Sequence, residues 1–515
     1  MSTPNRRHVL GAGLSVGALV GLSACGSQTG AAIDAGDPVK GGTLRVGITG
    51  GNSADTIDAH IPVNNGDVCR TVNMYNALYG WDDDSRVVPL LAESFEPNGD
   101  STVWTATLKP GIKFSDGRPI TPDDVIFTFK RITDPNDPKT AAANFTMLDE
   151  VVATGDRTVE FRLSEPNGLF NDAVAEYTAG IVPVDYDPAN PVCSGPFKLK
   201  SFTPAQSTVL EANEHWWGHE GTYLDEVELL NFNDTDALIN ALLSTQVDAI
   251  AQIPVALVEV IDADERMSIL NSETGMWLPF TMRVDRPPYD DERVRQAFKL
   301  VVDRDQMIEQ VLSGFGAIGN DMFGPYSANY PNFPQRKQDI AKAKELLAEA
   351  GYPDGIDVEL VTAPIQSGAV ESAQVFAQQA KEAGIRVSIR RVDVTTFFGD
   401  QYLQWDFAQD FWYTRDFMPQ VIACCLEESP FNETHWNDPE FNEIFDRARA
   451  IADVDERRNL EHELQKILFD RGGYIIWGFP NQVDAFQKYV GGLVPNATGR
   501  PLSGWRFDRV WIGKV

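Results

Sequence analysis

Positive charge is scarce in this chain. Its 515 residues hold 43 Lys and Arg against 75 Asp and Glu, a formal charge of -32 and a pI near 4.5. Nucleic-acid recognition needs clustered bases against phosphate, so this balance excludes it as a partner class. It equally disfavours a basic face lying on anionic lipid. Long apolar runs are missing too: after residue 24 no stretch reaches 18 uncharged apolar residues, so no spanning helix is expected in the body. The chain has no Gly-x-x-x-x-Gly-Lys-Ser/Thr phosphate loop, no His-Glu-x-x-His and no Cys-x-x-Cys. Outside the first 24 residues there is no Gly-x-Ser-x-Gly elbow. Nothing therefore marks an enzyme, a cofactor or a metal, and none is expected. Apolar residues at 43% are still enough for large cores.

Residues 1–24 break the acidic pattern. They contain no acid and carry Arg6 and Arg7 ahead of the uncharged run Val9–Ala24. A basic start, a short apolar run and small residues form the layout of an export signal. Arg6-Arg7 resembles a twin-arginine signal. Leu22-Ser-Ala-Cys25 resembles a bacterial lipobox, in which Cys25 becomes the lipidated first residue. Removing the leader takes the charge two units lower, to -34. Residues 25–39 then read as the lipidated Cys and a flexible tether. The expected product is anchored to the outer face of the membrane, not spanning it.

Cysteine is sparse as well. Beyond Cys25 there are Cys69, Cys193, Cys424 and Cys425, which allow three complete pairings. The adjacent Cys424 and Cys425 could pair with each other only under strain. Mostly buried thiols are expected, with Cys69–Cys193 the disulfide candidate.

The body reads as α/β. Residues 41–48, 101–108 and 159–163 alternate as strands, and 121–131 reads as a helix with Thr121 as N-cap and Pro122 in its first position. Helices are expected over 290–302 and 339–350, the latter capped by Asp339 and ended by Gly351. The strand 356–360, a helix over 369–383 ended by Gly384, and the strand 385–389 form a βαβ unit, which requires a parallel pair. A helix over 455–469 precedes the apolar strand 474–477. There is no internal repeat.

Two groups of residues could carry chemistry. His215 and His219 have the i, i+4 spacing of a metal pair, but Gly218 weakens the helix this needs, and the segment reads as a surface loop. Trp405, Phe407, Phe411, Trp412, Tyr413 and Trp436 crowd one region together with Asp410, Arg415 and Asp416. Aromatics with a few charges suit a concave small-ligand site.

A dozen segments in order carry a resemblance. They include Lys40-Gly-Gly-Thr-Leu44, Tyr75-Asn-Ala-Leu-Tyr79, Val88-Pro-Leu-Leu-Ala-Glu-Ser94, Gly111-Ile-Lys-Phe-Ser-Asp-Gly117 and Ser194-Gly-Pro-Phe197. Pro288-Tyr-Asp-Asp-Glu-Arg-Val-Arg-Gln-Ala297, Val302-Asp-Arg304 and Asn432-Glu-Thr-His-Trp-Asn-Asp-Pro-Glu-Phe441 continue the series. From about residue 40 onward the chain resembles the family 5 extracytoplasmic solute-binding proteins, the dipeptide, oligopeptide and nickel receptors of ABC importers. The resemblance implies a two-lobed periplasmic-binding-protein-like α/β fold (type II, cluster C) with an extra subdomain inserted in lobe one. Lobe one would comprise 40–80, 180–276 and 484–515, the insert 81–179, and lobe two 277–483. It implies a monomer that closes on a di- or oligopeptide and delivers it to a permease and ATPase complex.

One departure bears on the ligand. In peptide-binding relatives an Asp three residues after a lobe-two Trp holds the ligand's α-amino group. Here that position after Trp412 is Arg415, with Asp416 one place late. Arginine prefers carboxylate or phosphate. This opens oligosaccharides, opine-like anions and metal chelates as ligands of the same fold. Other functions in view are a secreted hydrolase and a ligand-sensing surface lipoprotein. Trp412, Tyr413, Arg415 and Asp416 are expected to line lobe two's side of the cleft, with Asn52 and Ser53 opposite.

Overall fold

The computed structural model describes residues 35–218, 222–232 and 234–513. The leader, Cys25, most of the tether and His219 lie outside the described residues. Among the described residues no helix is long and apolar enough to cross a membrane.

Two large sheets and one smaller one organise the chain. A seven-stranded sheet is built around the strand Thr43–Thr49, which runs parallel to Glu226–Phe232 on one side and Ala249–Ile250 on the other. Leu44, Val46 and Ile48 point one way into its core, as their alternation requires. A five-stranded sheet holds the predicted βαβ unit: Ile356–Thr362 and Ile385–Arg391 pair in parallel across the helix Ala369–Lys381. A four-stranded antiparallel sheet carries Ala92–Pro97, Val103–Leu108, Thr158–Leu163 and Leu148–Ala153. Its own core is aromatic, with Phe95, Trp104, Phe129, Phe161 and Phe170 packed together. The fold is a two-lobed α/β binding-protein architecture with this smaller sheet as the added subdomain.

Local rules set most helix starts. Asp291, Asp303, Asp339, Asp438 and Asp453 each accept a backbone N–H at a helix N-terminus. Thr121 and Asp124 form a capping box on the helix Pro122–Ile132.

Two expectations are corrected. The apolar run 474–477 forms a strand only at Tyr474–Ile475. The Ile476 amide leaves the ladder to bond the Asp321 carboxylate at 3.0 Å, and Asp321 is itself held by Arg304 at 2.7 Å and by Arg336. Cys69 and Cys193 share one core yet are not bonded, and with Cys424 and Cys425 they are buried free thiols. Burial pushes the Cys193 thiol up to about 12.

The chain passes between the two large sheets twice. It leaves the strand Met267–Ser272 to reach Phe280–Met282, and returns from Tyr474–Ile475, by way of the short strand Gly478–Pro480, to Gln482–Gln487. The passages lie side by side: Ser272 pairs with Gln482, and the Thr274 hydroxyl donates to the Pro480 carbonyl at 2.6 Å.

Candidate ligand-binding site

The floor of the site is the stretch that follows the strand Phe407–Gln409. Once this strand leaves the sheet, Trp412 pairs with Trp277 through an antiparallel bridge. The Trp412 indole is 6% exposed and stacks on Trp277 with centroids 5.9 Å apart and planes 15° off parallel. Its Nε1 donates to Glu433 Oε1 at 3.0 Å, and the Tyr474 hydroxyl donates to the other oxygen of the same carboxyl. Burial first, and then neighbouring Asp410, hold Glu433 well above the ordinary carboxylate range. The ring is thereby fixed on both its face and its edge.

Arg415 stands on this ring, its Cζ 5.5 Å from the Trp412 centroid. Its guanidinium makes no hydrogen bond or ion pair among the described residues, so a half-buried cation with five donors faces the site with its fork unused. Thr414, just before it, accepts from the Gly275 amide at 2.9 Å and donates to the Ala497 carbonyl at 2.6 Å. These bonds tie the loop to the first passage, at Gly275, and to the segment at Ala497 beyond the strand Gln482–Gln487.

Asp416 precedes the helix Phe417–Cys424 without capping it through its side chain. Ser327 Oγ lies 3.4 Å from its Oδ1 and accepts the Phe417 amide at 2.7 Å. Burial raises the Asp416 carboxyl to about 6, Glu461 adding to the rise and Ser327 and Arg457 opposing it. Asp172, on the helix Phe170–Val174 next to the smaller sheet, reaches about 8. Burial is its largest cause and facing Asp416 the next. Asp172 has no side-chain hydrogen bond among the described residues. Arg457, the nearby cation, is already committed to Glu461 and to the Ile451 carbonyl. Asp416 thus adds to the rise of Asp172, and neither carboxyl has an ion pair among the described residues.

Residues 165–172 also meet lobe two directly. The Gly168 amide donates to the Arg449 carbonyl at 2.7 Å, and the Arg449 guanidinium reaches Glu165 at 3.0 Å. A Cβ at Gly168 would stand 2.4 Å from the backbone of Ile451 and Ala452, so only glycine permits this approach. Tyr177 lies under the Arg500 guanidinium, 4.8 Å from Cζ to the ring centroid, and burial raises its phenol to about 12.

Of the six residues expected from sequence, Trp412, Tyr413, Arg415 and Asp416 share this site. Asn52 and Ser53 lie in an exposed loop after the strand Thr43–Thr49. Asn52 spends its carbonyl oxygen on the Ala54 amide at 2.7 Å, and no hydrogen bond, ion pair or ring contact joins either residue to the lobe-two group. Asp172, Tyr177, Trp277, Glu433 and Arg500 were not read from sequence. Only Glu433 carried a signal, as an acid inside the resembling segment Asn432–Phe441. Among the described residues no group of three or more His, Cys, Asp or Glu could hold a metal ion.

The group brings together a guanidinium without a hydrogen bond, two carboxyls raised by burial and aromatic rings. Residues 86–422 match the sequence model of bacterial extracellular solute-binding proteins, family 5. The oligopeptide-binding protein AppA of Bacillus subtilis (strain 168) is 26% identical, with 96% of each chain covered. The glutathione-binding protein GsiB of Pectobacterium atrosepticum is 27% identical over 69% of this chain and 70% of its own. Among solved structures, AgaA from A. tumefaciens R10 in complex with agropinic acid superposes with a TM-score of 0.78 at 24% identity, covering 92% of this chain and 99% of that one. The match to the family model spans well over half of the sequence, and the chain belongs to the family 5 bacterial extracellular solute-binding proteins.

Proposed function

We propose that this protein is the extracytoplasmic receptor of an ABC importer, capturing a di- or oligopeptide-like solute by lobe closure and delivering it to the permease and its ATPase. The observation that carries the reading is the pairing of an uncommitted Arg415 guanidinium with the confronted carboxyls of Asp172 and Asp416. An ammonium relieves the repulsion between the acids, and a carboxylate fills the fork of the arginine. Closure around the ligand excludes water and strengthens both contacts. The names of the relatives, oligopeptide-binding and dipeptide-binding among them, support the peptide class. The role is binding and hand-over, without catalysis.

A thermal-shift screen of peptides, sugars and chelates tests this, because a ligand that binds only the folded state raises the melting temperature. Stabilisation by sugars alone would remove the peptide reading. A second reading is supported by Arg415 standing where peptide-binding relatives place an Asp: an opine-like anion as ligand, as in the AgaA complex. Mass spectrometry of ligand released from the purified protein separates the two.

Closure is proposed to turn about the paired passages at 272–280 and 480–482, with the lobe limits given by the sequence. Lipid attachment at Cys25 and export by the twin-arginine route complete the proposal. Cys25→Ala should move the protein from the membrane fraction to the soluble one, and Arg6→Lys with Arg7→Lys should stop export.

A further inference from the structure

A cavity of about 270 Å³ opens beside Tyr177 and Arg500. All of its walls come from residues 72–90, 175–218 and 496–508, and none from the five-stranded lobe. Its shape therefore does not depend on closure. Tyr79, Trp81, Tyr177 and Trp217 give it aromatic faces, and Arg500 and Arg506 bring two guanidiniums. The aromatic wall is fixed in advance. Trp216 and Trp217 both donate their Nε1 to Asn76 Oδ1, at 2.8 and 3.2 Å, and Lys109 Nζ covers the Trp217 ring at 3.8 Å.

The two arginines are not equivalent. Arg506 grips Asp508 with two bonds, at 3.1 and 3.2 Å. The Arg500 side chain is 19% exposed and its guanidinium donates no hydrogen bond among the described residues. Its nearest carboxylate, Glu176, lies 4.0 Å away, and its Cζ sits 4.8 Å from the Tyr177 centroid. A largely buried guanidinium whose donors are unmet is costly unless an anion arrives, and its fork fits a carboxylate. The ring beneath it fits a flat group carried by that anion.

We propose that this cavity is a subsite for an aromatic or planar carboxylate, held by Arg500 against Tyr177. It goes beyond the interlobe reading and relies on it only for the neighbouring ligand-bearing face. Tyr177 borders both spaces, so a solute whose carboxylate docks first on the open lobe can extend its other end towards Arg415 and Tyr413 as the lobes close.

Calorimetric titration of the purified mature protein with 3-phenylpropionate, and with its neutral amide as control, tests the subsite. The carboxylate should bind at least about tenfold more tightly than the amide, the size of one charge-assisted contact. Arg500→Gln should abolish that preference and Arg500→Lys should keep only part of it, with circular dichroism confirming the fold of both. Equal binding of acid and amide, or a preference that survives Arg500→Gln, would overturn the proposal. So would a preference lost in Arg415→Gln instead, which would place the fragment in the interlobe site. Failure of the interlobe reading has a different signature, peptide affinity untouched by Arg415→Ala.

Discussion

Trp277 and Trp412 exchange both of their backbone hydrogen bonds, at 3.1 and 3.0 Å, while their indoles stack 5.9 Å apart. Trp277 belongs to the first passage between the lobes and Trp412 to the floor of the ligand site. Passage and floor are therefore one packed unit, extended by Phe323 stacked on Trp277 at 5.4 Å. Trp277→Ala leaves a large cavity in this unit and should cost about 3–5 kcal/mol of stability, read from denaturant unfolding. It should weaken ligand binding at the same time, because Trp412 loses its backing.

Arg415→Ala should separate those two effects. The side chain holds no hydrogen bond or ion pair, so the ligand-free protein loses only its contact with Trp412, about 0.5–1 kcal/mol. The melting temperature without ligand should move by no more than about 2 °C. Affinity should fall about 10- to 100-fold, as expected for a lost charged hydrogen bond. Calorimetry with the ligand identified by the screen reads the second number, and an unaltered dissociation constant would displace Arg415 from the site.

Asp172 and Asp416 give the site a pH dependence of definite sign. Both folded-state values, about 8 and about 6, lie above the ordinary 3.8. A carboxyl raised by folding contributes stability that is complete below its unfolded pKa and lost as pH rises through its folded pKa. The ligand-free protein should therefore lose this contribution between about pH 4 and pH 8. Asp172→Asn should raise the melting temperature at pH 8 and change it little at pH 4. The same substitution should weaken a ligand bearing a free amine while sparing its N-acetylated form. A destabilised Asp172→Asn at pH 8 would contradict the confrontation of the two acids.

Gly168 tests closure. Its amide bond to Arg449 needs the backbone approach that a Cβ would block. Gly168→Val should lower affinity by keeping residues 165–172 away from lobe two, with the sheet beneath unaffected. Small-angle scattering with ligand should then give a larger radius of gyration than the wild-type complex.

Much of the fold was legible because its causes are local. Asp339 caps the helix that begins at Ile340, and the alternating strands on either side of the helix Ala369–Lys381 pair in parallel as their βαβ order requires. The strand at 474–477 was overread, because its periodicity could not show that Asp321, more than 150 residues earlier, takes the Ile476 amide. Of the candidate site, sequence brings together only the single stretch from Trp412 to Asp416, because its members are neighbours along the chain. Asn52 and Ser53 were expected opposite by resemblance, and Asn52 takes part in a local turn with Asp55.

The amino-acid sequence by itself determined the acidic α/β body, the caps and periodicity of its helices, the family, and the run from Trp412 to Arg415 and Asp416. The tertiary structure alone decided what surrounds that arginine. Asp172 and Tyr177 come from one segment and Arg500 from another far along the chain, and folding sets Arg500 over the Tyr177 ring. The Asp172 carboxyl and the Tyr177 phenol are both held above their ordinary values chiefly by desolvation, which no local sequence pattern reports.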